Sequence, residues 1–204
     1  GASFSADGKR LLFSSDASGI RNVQSIPVAG GAAEALTRST TDTTTAVSYF
    51  PGDDRFLFTR DQGGNELNHL YVQTPSGETR DLTPGEKLKA AFAKWTRDGA
   101  AFYVRSNERD ARYFDVYRYD AASYDRTLVY RDEAGYQVGG VSDDGRWIAF
   151  TKPATTSDSD VYVYDTGSKE LKNVTPHEGV SSNNVSALSP DSKWLYYLSN
   201  DGGE

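Results

Sequence analysis

The chain has 204 residues, 37% hydrophobic and 12% aromatic, with 22 basic and 29 acidic side chains and a formal charge of −7. That is enough apolar material for one large all-β domain or two small ones and excludes a disordered chain. The acidic balance excludes a typical nucleic-acid module, which needs a basic stripe to displace phosphate counterions. No apolar run reaches the roughly 18 residues of a membrane-spanning helix, Gly1 to Arg10 lack the basic start and apolar stretch of a signal peptide, and absent cysteine excludes disulfides and thiolate metal sites. The compartment stays open between cytoplasm and periplasm.

From the N-terminus, Ser5-Ala6-Asp7-Gly8-Lys9 is a polar turn leading into Leu11-Leu12-Phe13, followed by strands over Val23 to Val28 and Ala33 to Thr37. The same order returns at Pro51-Gly52-Asp53-Asp54-Arg55 before Phe56-Leu57-Phe58, with strands over Leu67 to Gln73 and Thr79 to Thr83. Next come Thr96-Arg97-Asp98-Gly99 before Phe102-Tyr103-Val104, with Phe114 to Tyr119 and Thr127 to Tyr130. Ser142-Asp143-Asp144-Gly145-Arg146 precedes Trp147-Ile148-Ala149-Phe150, with Asp160 to Tyr164 and Leu171 to Thr175. The fifth copy, Ser189-Pro190-Asp191-Ser192-Lys193, leads into Trp194-Leu195-Tyr196-Tyr197. Between strands, Ala29-Gly30-Gly31, Pro75-Ser76-Gly77 and Asp165-Thr166-Gly167 supply hairpin turns.

The marker residues Asp7, Asp53, Asp98, Asp144 and Asp191 are 46, 45, 46 and 47 residues apart. A period of roughly 40 to 50 residues holding four strands is a propeller blade. Alternation such as Asp160-Val161-Tyr162-Val163-Tyr164 has period two, and no long stretch keeps helical period, so helix should be nearly absent. The expectation is an all-β chain: one partial β-propeller domain over 1–204, four-stranded antiparallel blades starting near 3, 48, 94, 140 and 187, and about four and a half blades present. An unfinished ring exposes strand edges, which predicts a piece of a longer protein and self-association through those edges.

The turn signature lacks the Gly-His and Trp-Asp marks of WD repeats and resembles the Ser-Pro-Asp-Gly-Lys type of TolB-like propellers and of prolyl-oligopeptidase relatives. Arg60-Asp61-Gln62-Gly63-Gly64-Asn65-Glu66-Leu67-Asn68-His69-Leu70-Tyr71 is similar to a segment of bacterial members of that peptidase family, of the dipeptidyl-peptidase and acylaminoacyl-peptidase kind. The resemblance implies a parent with a propeller that restricts access and a C-terminal α/β-hydrolase domain that cleaves short peptides. The peptides and that hydrolase domain are then the expected partners, with no nucleic acid, membrane or cofactor. The alternative is a TolB-like or stand-alone propeller serving as a protein-interaction module; a third reading is a carboxylate-based enzyme acting on glycans.

No Gly-x-Ser-x-Gly nucleophile elbow occurs in the chain. The closest stretch, Gly140-Val141-Ser142-Asp143-Asp144-Gly145, is itself the fourth turn signature, so no catalytic residue is assigned. His69 falls in a strand and His177 in a turn, with no spacing that suggests a triad or a metal site. Thr156-Ser157-Asp158-Ser159-Asp160 is acidic but lacks the ligand pattern of a calcium loop. The connections between second and third strands should gather on one face. There Arg60, Asn65 and Glu66 of the second blade and Arg105, Arg109 and Arg112 of the third are the candidate substrate-binding residues. A carboxylate can fix a peptide amino terminus and an arginine fork can clamp a carboxylate; the competing reading is that these charges pair among themselves to stabilise loops.

Overall fold

The computed structural model describes residues 2–200, which contain no helix. The chain divides into two compact units, Gly1–Phe92 and Ala93–Glu204. The first unit holds two antiparallel four-stranded meanders: β1 (Ser3–Phe4), β2 (Arg10–Ser15), β3 (Asn22–Pro27) and β4 (Glu34–Ala35), then β5 (Thr44–Tyr49), β6 (Phe56–Arg60), β7 (His69–Gln73) and β8 (Thr79–Asp81). The third meander joins β9 (Ala90–Trp95), β10 (Ala101–Asp110), β11 (Tyr113–Asp120) and β12 (Arg126–Tyr130). The fourth joins β13 (Gln137–Val141), β14 (Trp147–Pro153), β15 (Ser159–Asp165) and β16 (Leu171–Asn173). A fifth sheet pairs β17 (Asn183–Leu188) with β18 (Leu195–Ser199). Four complete blades and two strands of a fifth are thus present.

The turn signature earns its composition through hydrogen bonds. Ser5 Oγ donates to Asp7 Oδ1 at 2.7 Å, the same carboxylate accepts the N–H of Lys9, and Ser5 Oγ accepts the N–H of Arg10. Thr96 with Asp98, Ser142 with Asp144, and Ser189 with Asp191 repeat the arrangement. In each of these turns the hydroxyl donor is the chief cause that holds the carboxyl below the usual aspartate range. In the second blade Asp53 is held instead by Arg55, at 2.7 Å. The first strands also share a defect: register shifts fall between Ala46 and Ser48, Val138 and Gly140, and Val185 and Ala187. A bulge at one fixed place in several blades adds twist where each new blade begins.

A second device closes three of the blades. Thr37 Oγ1 accepts the N–H of Val23 at 2.8 Å, Thr83 Oγ1 that of Leu70 at 2.9 Å, and Thr175 Oγ1 that of Val161 at 2.8 Å. The threonine two residues past the fourth strand thereby satisfies a buried amide of the third. Asp81 and Asn173 orient two of these threonines by accepting the N–H of Thr83 and Thr175.

Apolar side chains from alternate strand positions fill the space between neighbouring blades within each unit. In the first, Leu12, Val23, Ala46, Tyr49, Phe56, Phe58 and Tyr71 form one cluster, with Phe58 stacked on Tyr71 at 5.2 Å. In the second, Tyr103, Val116, Tyr130, Val141, Ile148, Phe150 and Tyr164 form another, with Tyr130 4.6 Å from Phe150 and 4.9 Å from Tyr164. Each fully buried aromatic of this kind contributes about 2–3 kcal/mol.

Candidate functional site

In the first unit, the motif residues after β6 build a folded loop. Gly63 and Gly64 take φ of 62° and 76°, a conformation that side chains resist. Asp42 Oδ1 accepts the N–H of Gly63 at 2.8 Å, and Asn65 Oδ1 accepts those of Gln62 and Leu67. Asp61 accepts the N–H of Glu66, which itself sits at φ 58° although it is not glycine. The result is an exposed Glu66 whose carboxylate has no partner among the described residues. At the base of the loop the Arg60 guanidinium lies 4.5 Å over the Tyr71 ring, and its Nε is buried without a hydrogen-bond partner. Opposite Arg60 in register, His69 places Nδ1 2.8 Å from Asp81 Oδ2.

In the second unit, Arg105 and Arg109 lie on strand β10, and of the three only Arg112 lies on the connecting turn. Residues 105–110 continue β10 as one arm of a long hairpin, because Ser106 and Asn107 are buried and the chain turns only at Ala111 and Arg112. Arg109 grips the fully buried Asp115 with two bonds of 2.7 and 2.8 Å and also donates to the carbonyl of Asp132. Asp115 in turn accepts the N–H of Asp132 at 2.9 Å. The Asp132 carboxylate accepts the N–H groups of Ala134, Gly135 and Tyr136. This ionic node stands where the other three complete blades use threonine. Arg112 pairs with Asp110 at 2.7 Å and holds that carboxyl well below its ordinary range. Glu108 binds Arg126 at 2.6 Å, and burial, helped by Glu108, pushes the Tyr117 hydroxyl up to about 12. Arg105 is exposed, has no carboxylate partner among the described residues, and lies 5.9 Å from the Phe114 ring.

No family model matches the chain. Dipeptidyl aminopeptidase BIII of Pseudoxanthomonas mexicana is 30% identical in an alignment 204 positions long that covers 97% of this chain and 29% of that protein. A solved prolyl endopeptidase superposes with a TM-score of 0.73 at 17% identity, over 98% of this chain and 31% of the other. TolB from Acinetobacter baumannii gives 0.62 at 20% identity, over 100% of this chain and 54% of the other. The chain has the β-propeller fold shared by these proteins. It spans less than a third of the length of the curated relative it matches.

Within this propeller the remaining candidate residues have structural partners. Ser142 is buried, donates to Asp144 at 2.5 Å and accepts the N–H of Trp147, as a turn residue does. Among the described residues no serine hydroxyl bonds to either histidine. Both ring nitrogens of His177 face acceptors: Nε2 lies 2.9 Å from Asp158 Oδ1, and Nδ1 lies 3.1 Å from both Asp160 Oδ1 and the Thr175 carbonyl. The carbonyl of Thr175 and then the two aspartates raise the His177 pKa, favouring the imidazolium. That imidazolium ties the β14–β15 connection to the segment entering β17. The threonine closures and the node around Asp115 are absent from the sequence reading. Asp81-Leu82-Thr83-Pro84 and Asn173-Val174-Thr175-Pro176 were the available signal for the former.

Proposed function

We propose that this propeller filters short peptides for a serine-peptidase α/β-hydrolase domain elsewhere in the same polypeptide. The observation that carries this reading is the 30% identity to a dipeptidyl aminopeptidase along 97% of the chain. The loop after β6 supports it: a hydrogen-bonded turn presents one exposed, unpaired carboxylate, Glu66, next to Asn65 in the chain. A carboxylate so placed can pair with the α-ammonium of a peptide. The second unit, taken by itself, offers the exposed Arg105, while Arg109 and Arg112 shape the hairpin that carries it.

The test is to read the parent frame beyond Glu204 and assay its full-length product on chromogenic dipeptides. The expected result is a hydrolase domain with serine-reagent-sensitive cleavage. Glu66→Gln should raise KM about tenfold for substrates with a free amino terminus and leave N-acylated substrates unchanged. A frame that closes as a propeller with no hydrolase and no activity would refute the reading and make partner capture, as a protein-interaction module, the function to pursue.

A further inference from the structure

Between the β10–β11 hairpin and the connection into β13 lies a hollow of about 290 Å³, lined chiefly by Arg105, Phe114, Asp132, Tyr136, Gln137 and Val138. Its two walls are fixed to each other. The Asp115 carboxylate, itself completely buried, holds Arg109 from the hairpin and the N–H of Asp132 from the connection. The Asp132 carboxylate then folds the connection around itself through three backbone amides. Lys152 adds a bond to the Ala134 carbonyl and sits 5.4 Å over the Tyr136 ring. Buried ions are costly to assemble and are retained only with such full satisfaction.

The charges left over are informative. In the same unit Arg109, Arg112, Arg126, Arg131 and Arg146 are each paired with a carboxylate. Arg97, Arg105 and Arg118 are not, and of these three Arg105 opens on the hollow. The carboxylate of Asp132, the one acid lining the hollow, is already occupied by backbone N–H groups and does not bond to Arg105. An unpartnered guanidinium offers five N–H donors in a flat fork that matches a carboxylate bidentately. The Phe114 and Tyr136 rings offer an apolar wall beside it, and the Gln137 amide a further polar contact.

We propose that this hollow is a carboxylate subsite for a short peptide, taking either its C-terminal carboxylate or an acidic side chain on Arg105 and the attached apolar part against Phe114 and Tyr136. The proposal rests on the peptide-filtering reading and names the ligand group that this hollow receives.

The experiment is an amide chemical-shift titration of the full 204-residue chain with three peptides: Ala-Ala-Phe as free acid, the same peptide amidated at its C-terminus, and Ala-Asp-Phe amide. The free acid should move the Gly135, Gln137 and Arg105 side-chain signals and bind about tenfold more tightly than the neutral amide. Arg105→Gln should erase that difference and Arg105→Lys keep part of it, both with an otherwise unchanged spectrum. Recovery of affinity by the aspartate-containing amide identifies the side chain as the source, and no recovery identifies the C-terminus. Equal binding of acid and amide, or a preference that survives Arg105→Gln, overturns the subsite while leaving peptide binding intact. No shift with any of the three overturns the subsite; the peptidase assay on the parent then decides the wider reading separately.

Discussion

Replacing each closing threonine by valine keeps its shape and deletes its hydroxyl, so the cost should follow the number of bonds that hydroxyl makes. Thr83 is fully buried and its Oγ1 serves one partner, the N–H of Leu70. Leaving that amide unsatisfied should cost about 1.5 kcal/mol. Thr175 serves the N–H of Val161 and donates to Asp160, which keeps His177 as a second partner; Thr175→Val should cost about 2 kcal/mol. Thr37 serves the N–H of Val23, donates to Asn22 at 3.0 Å and meets the Thr44 hydroxyl at 2.7 Å. Asn22 retains Ser39, so Thr37→Val orphans one amide and loses two ordinary bonds, about 3 kcal/mol in all. Native-state amide exchange at Leu70, Val161 and Val23 is the suitable assay. All three tryptophans, Trp95, Trp147 and Trp194, lie in the second unit, so their fluorescence is blind to two of the three sites. A Thr83→Val variant as costly as Thr37→Val, or a Thr37→Val cost below about 0.5 kcal/mol, would refute the reasoning.

Gly145 has φ 71°, and a methyl group there would run into the Tyr103 hydroxyl. Gly145→Ala should therefore cost about 2 kcal/mol in urea denaturation, with Tyr103→Phe recovering the steric part and not the backbone part. The raised pKa of His177 sets a pH dependence. Its contribution to stability is complete below the unfolded histidine value of about 6.5 and is lost as pH rises through the higher folded value. Thermal melts of the wild type should fall across that window, and His177→Gln should flatten the slope. The lowered carboxyls of Asp7, Asp98, Asp144 and Asp191 act at the other end, giving stability above the unfolded value of about 3.9 that disappears as pH falls through their folded values. Ser142→Ala should accordingly shift the acid midpoint upward.

The blade period was legible because its marker is local: the hydroxyl, aspartate and amide of each turn lie within five residues of one another, as Ser142, Asp144 and Trp147 do. The threonine closures span 13 or 14 residues and join two strands, so nothing in the run of sequence pairs Thr83 with Leu70 until the meander is drawn. The extension of β10 to Asp110 reads as connection in the sequence because Arg105 to Asp110 is wholly polar and hides the alternation that marks a strand. Its burial comes from Ser106 and Asn107. The candidate arginines could be named from composition, but their division into the carboxylate-bound Arg109 and Arg112 and the unbound Arg105 depends on Asp115 and Asp110 arriving across the hairpin.

The backbone of Glu66 sets stability against recognition at a single position. Glycine there would relieve about 1 kcal/mol of left-handed strain, partly offset by its freedom in the unfolded chain, but would remove the carboxylate. Asparagine would tolerate the conformation and lose the charge. Any improvement of the loop as a piece of folded chain is thus a loss of the one unpaired anion it holds out, so a library selected for thermal stability alone should drift away from glutamate while one selected for ligand capture should keep it.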